Sequence, residues 1–112
     1  MKYYYNLYWS AEFEKNKDEI INKLESNTVQ LNKYLVVLSD NPRNHLEYFD
    51  SVLLQQEILG RRELFVIGIA AGHYGAMEIV ESITQEVYTE TGEADIRGYL
   101  LERQREFEES KE

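Results

Sequence analysis

The chain has 112 residues, no cysteine, and 21 acidic against 12 basic side chains, for a formal net charge of -9. A chain of this length forms a single core, and without thiols it has neither disulfides nor thiolate metal centres, so its stability rests on packing. The surplus of carboxylates repels phosphate backbones and anionic lipid, which argues against nucleic acid and membrane partners, and no apolar run approaches the roughly 20 residues needed to cross a bilayer.

Residues 2–9, KYYYNLYW, carry tyrosines and a tryptophan on both faces of an extended chain, the pattern of a strand covered on both sides. They lack the apolar core and small-residue cleavage site of a secretion signal, so the expected location is cytoplasmic. Ser10 stands at an N-cap position with Glu12 and Glu14 in the turn beyond it, which predicts a helix. Its apolar positions are Phe13, Ile20, Ile21 and Leu24, with Lys17 interrupting the stripe and an end near Ser26 and Asn27. A second register stays open, because Phe13, Lys17, Ile20, Leu24, Asn27, Leu31, Tyr34 and Leu38 also fit a 3.5-residue repeat, the pattern of one long helix or a coiled coil in which residues 28–38 would prolong the helix. Against it, Tyr34 to Leu38 is a continuous apolar run closed by Ser39-Asp40-Asn41-Pro42 turn chemistry, which reads as the second strand.

Pro42 suits the first position of a helix, and Leu46, Phe49 and Leu53 keep helical spacing; Asp50-Ser51 offers a cap for a shorter helix instead. Residues 64–71, LFVIGIAA, form the third strand, with Gly68 marking a close backbone approach. Between Tyr74 and Thr91, Ala76, Ile79, Val80, Ile83 and Val87 line one helical face while Glu78, Glu81 and Glu86 point away, and Gly92 is the stop. Asp95 caps a last helix with Ile96, Tyr99 and Leu100 on its apolar face. The domain is expected to span residues 1–101, and residues 102–112, ERQREFEESKE, to fray for want of apolar surface.

Strands apolar on both faces and alternating with helices predict an α/β domain: a three-stranded parallel sheet in the order β-α-β-α-β-α-α, with the first and third strands adjacent or the order 3-2-1. Ligands of such sheets bind beyond the carboxyl ends of the strands, which would gather Ser10, Asp40, Gly72, His73, Tyr74 and Gly75. His73 would transfer a proton or contact an anion, and the Gly72–Gly75 turn would offer main-chain N–H groups to phosphate. Each has a plainer role: Ser10 as a cap, Asp40 as a turn residue, the glycines as packing. The glycine spacing matches no nucleotide loop, and His45 and His73 have no metal-ligand spacing, so no metal or cofactor is expected. Most motifs serve packing, so the expected function is a non-enzymatic binding or interaction domain, in a homodimer or with another protein. The alternative is a small enzyme or a binder of a nucleotide or other small anion, with its site at the Gly72–Gly75 turn.

Overall fold

The computed structural model describes residues 1–39, 45–55 and 64–111. It is a mixed α/β fold with one four-stranded sheet: β1 (Lys2–Trp9), β2 (Lys33–Leu38), β3 (Leu46–Asp50) and β4 (Phe65–Ala71). The spatial order is β1-β4-β2-β3. β4 runs parallel to β1, whereas β2 is antiparallel to both β4 and β3.

Three strands stand where the sequence put them, and the first and third are adjacent and parallel, but the second lies beside the third and antiparallel to it, so neither the order 2-1-3 nor 3-2-1 nor a wholly parallel sheet holds. The cause is physical. β2 and β4 are apolar on both faces because helices cover both faces of the sheet, and that cover places no demand on strand direction. The fourth strand, β3, falls in the segment read as a helix beginning at Pro42. Leu46, Phe49 and Leu53 do lie at helical spacing, yet Leu46 to Asp50 pairs in unbroken register with β2, from Leu38 opposite Leu46 to Tyr34 opposite Asp50. Turn chemistry after a strand suits a hairpin as well as a helix start. Of the expected shorter helix, residues 51–55 form a 3-10 turn and residues 56–59 lie outside the described residues.

The helix expected from Ser10 divides in two. A 3-10 turn, Ala11–Phe13, seats Phe13 in the core, and α1 (Lys17–Glu25) then buries Ile20 and Leu24. Asn27, at φ 58°, ends α1: its N–H bonds Leu24 O, and Thr28 N–H reaches back to Lys23 O. This paired closure through a left-handed residue excludes the long continuous helix.

α2 (Gly72–Thr91) and α3 (Ile96–Ser110) cover the opposite face. Ala76, Ile79, Ile83 and Val87 of α2 pack with Ile96 and Leu100 on Val36, Ile67 and Ala70, while α1 and its neighbours pack on Leu35, Val37, Val66 and Ile69. Gly68 permits the closeness of α2 and the sheet, since a Cβ there would lie 3.1 Å from both Ile79 Cγ2 and Tyr8 O. Gly92 stops α2 in the left-handed region, and Asp95 caps α3 by accepting the Gly98 N–H at 3.0 Å.

Residues 102–110, expected to fray, continue α3. They have anchors that composition does not reveal. α3 starts beside His45, whose Nδ1 accepts the Arg97 N–H, and crosses to β1, where buried Gln104 accepts the Tyr5 N–H at 2.8 Å and Phe107 stacks on Tyr5. Among the described residues no helix is long and apolar enough to cross a membrane.

Candidate functional site

The parallel pair β1 and β4 brings Ser10 against the start of α2. Ser10 N–H bonds Ile69 O at 3.1 Å, and its Oγ accepts the Ala71 N–H at 2.8 Å. Its side chain caps no N–H of the 3-10 turn that follows, where the Ser10 carbonyl accepts the Phe13 N–H at 3.0 Å; the hydroxyl instead joins two strand ends. Gly75 lies directly above, where a Cβ would come within 2.9 Å of Ser10 Oγ.

Gly72 holds a left-handed φ of 71°, and its N–H bonds the carbonyl of Asn32, itself left-handed at φ 60°. A Cβ on Gly72 would stand 2.7 Å from Asn32 Oδ1. Gly72 is thus favoured by its left-handed backbone, while at Gly75 an added Cβ would press on the Ser10 hydroxyl. The N–H groups of Ala71 and Gly72 at this turn already have partners within the chain.

Asp40 lies outside the described residues. Because β2 is antiparallel to β4, its carboxyl end at Leu38 and Ser39 pairs with Leu46 and His45, at the end of the sheet away from Gly72. The amino end of β2 reaches the turn instead, bringing Asn32 and Tyr34.

His73 stands exposed amid tyrosines. Its ring centroid lies 5.3 Å from that of Tyr48, 5.5 Å from Tyr74 and 6.4 Å from Tyr34, and the Tyr34 and Tyr48 rings are 6.3 Å apart. Tyr74 is 78% exposed, among the most open large side chains of the described residues. Strand pleat explains the grouping: Tyr34 on β2 and Tyr48 on β3 face the side on which α2 begins. Sequence reasoning found His73 and Tyr74 but missed Tyr34 and Tyr48, one read only as a member of the second strand's apolar run and the other as part of a helix. The alternation of Leu46, Tyr48 and Asp50 was the available signal.

A second cluster has another character. Tyr8 and Tyr99 both donate to Glu86 Oε2, at 2.9 and 2.7 Å, and Arg103 lies over the Tyr99 ring at 4.7 Å. Glu86 thus turns toward β1 and α3, not toward solvent as its helical position suggested. Burial first, and the Glu86 carboxylate second, raise the tyrosine ionisations at Tyr8 and Tyr99. This cluster bolts three elements together. Beside it a cleft of about 410 Å³ between the end of α2 and α3 is lined by Glu90, Glu93, Asp95, Glu102 and Glu106. Among the described residues no three His, Asp or Glu side chains gather as metal ligands do.

Compared with known protein families, with curated proteins and with solved structures, the chain matches none.

Proposed function

We propose that this is a non-enzymatic binding domain whose contact surface is the aromatic patch of Tyr34, Tyr48, His73 and Tyr74. The supporting observation is the exposure of His73 and Tyr74 beside two further tyrosine rings on a rigid sheet end. Such rings contribute large contact area at little conformational cost and are enriched at interface hot spots. Ser10, the nearest hydroxyl considered for chemistry, has its Oγ committed to Ala71. The partner in this reading is a protein.

The test compares the native chain with His73→Ala and Tyr74→Ala as bait in its own cell extract. A partner retained by the native chain and lost from both variants supports the patch, and equal retention by all three rejects it. The same proteins are melted with inorganic phosphate and with nucleotides. A rise in melting temperature that His73→Ala removes would favour the small-anion alternative, because a ligand specific to the folded state stabilises it.

A further inference from the structure

The two edges of the sheet differ in kind. On β1 the register against β4 shifts between Tyr3 and Tyr8, and α3 closes over the strand through Gln104 on the Tyr5 N–H and Glu108 on Lys2 at 3.1 Å. Interrupted register and a covering helix are how natural sheets protect an edge. β3 has neither. Its register with β2 is unbroken over five residues, it contains no proline or lysine, and among the described residues no strand lies on its outer side.

The direction of its free main-chain groups follows from one bond. Ser39 N–H donates to His45 O at 3.1 Å, which marks that opposed pair as hydrogen-bonded. Bonded and non-bonded pairs alternate along an antiparallel ladder, so Glu47 and Phe49 bond inward to β2 while Leu46, Tyr48 and Asp50 face outward. We infer that β3 pairs antiparallel with β3 of a second copy of this chain, centred on Tyr48, so that two four-stranded sheets join into one.

Symmetry and charge select this register. A two-fold axis at Tyr48 sets Tyr48 against its own copy and Leu46 against Asp50 of the second copy, so every outward group meets an outward group. It also sets Glu47 against Phe49. No two like charges are directly opposed, although β3 carries Glu47 and Asp50 and the whole chain carries -9. An axis centred on Glu47 would oppose that carboxylate to its own copy, and one centred on Phe49 would carry the pairing past Asp50 into the 3-10 turn at Ser51 and Val52. The inference goes beyond the aromatic patch, and it stands even if the His73 and Tyr74 variants bind as the native chain does.

Sedimentation equilibrium of the full chain tests it. The expected mass is twice 13.3 kDa, and a monomer at every concentration up to about millimolar overturns the inference. Tyr48→Pro removes one outward N–H and spares the bonds to β2, a position where an edge strand accepts proline. It should halve the mass while circular dichroism stays native; a folded variant that remains dimeric overturns the register. Tyr48→Cys gives an independent reading that does not depend on how proline is tolerated. Opposed Cα atoms of a bonded antiparallel pair are about 5.5 Å apart, within disulfide reach, whereas Glu47→Cys places its pair on a diagonal beyond about 7 Å. Mild oxidation should cross-link the first variant and not the second. Equal cross-linking of both, or of neither, rejects pairing centred on Tyr48.

Discussion

Ser10 Oγ accepts the Ala71 N–H at 2.8 Å and so ties the end of β1 to the end of β4 at the point where α2 begins. Ser10→Ala should cost about 1–3 kcal/mol, since a part-buried N–H loses its acceptor. Gly75→Ala should also destabilise, because its Cβ would press on the same oxygen at 2.9 Å. The two effects share one atom and should not add: in a Ser10→Ala background, Gly75→Ala should cost less than it does alone. Urea melts of the four proteins measure the coupling, and strict additivity would show that the glycine serves something else.

The Tyr8–Glu86–Tyr99 cluster predicts a sensitivity to alkali. Burial, then Glu86, raises the ionisation of Tyr8 and Tyr99, and burial does the same at Tyr4, so the folded chain holds protons that unfolded tyrosines release near pH 10.0. The stabilisation is whole below that pH. Above it the unfolded chain binds fewer protons than the folded one, so stability falls as pH rises. Denaturant melts between about pH 8 and 11 should show this decline. Glu86→Gln removes the negative charge but not the burial, so the decline should become shallower without vanishing. An unchanged slope would remove Glu86 from the cause.

Ile83 is fully buried between α2 and the sheet. Ile83→Ala should cost about 2–5 kcal/mol in lost transfer energy and residual cavity. A loss below about 1 kcal/mol in urea melts would place this side chain outside the packed core.

Much of this architecture could be read from residue order, because period and punctuation report local demands. Four of the five apolar positions read on α2 are buried, the Asp95 cap is made as expected, and Gly68 stands where a side chain would collide. Strand direction could not be read. The side chains of β2 record how well each face is covered, and a parallel or antiparallel neighbour leaves the same record. That one ambiguity misplaced the carboxyl end of β2, which at Leu38 and Ser39 lies at the opposite end of the sheet from Gly72. It also hid Tyr34 and Tyr48, whose meeting with His73 depends on β2 and β3 forming a hairpin beside the start of α2. The Gly72–Gly75 turn was found for a sound reason, a strand leading straight into a helix, while its contact with Asn32 required tertiary information.

The end of α3 gives the sharpest contrast between composition and contact. Residues 102–110 are mostly charged, and Arg105 spans Glu102 and Glu109 on a fully exposed face where ion pairs add little stability. What holds the segment is Gln104, 7% exposed, with its Oε1 on the Tyr5 N–H and its amide nitrogen donating to Glu108 at 3.1 Å. Gln104→Leu should keep the helix but leave that N–H unpaired, costing about 1–3 kcal/mol. Ending the chain after Leu101 should cost more, because the Phe107 stack on Tyr5 is lost with it, and stacked rings add about 0.5–1.5 kcal/mol beyond burial. For a domain near this size each kcal/mol lowers the melting temperature by about 4–8 °C, so calorimetry separates the variants. Hydrogen exchange at the Tyr5 amide gives the local answer. Protection in the native chain and fast exchange in Gln104→Leu would confirm the clasp, and fast exchange in both would mean that the tail is free.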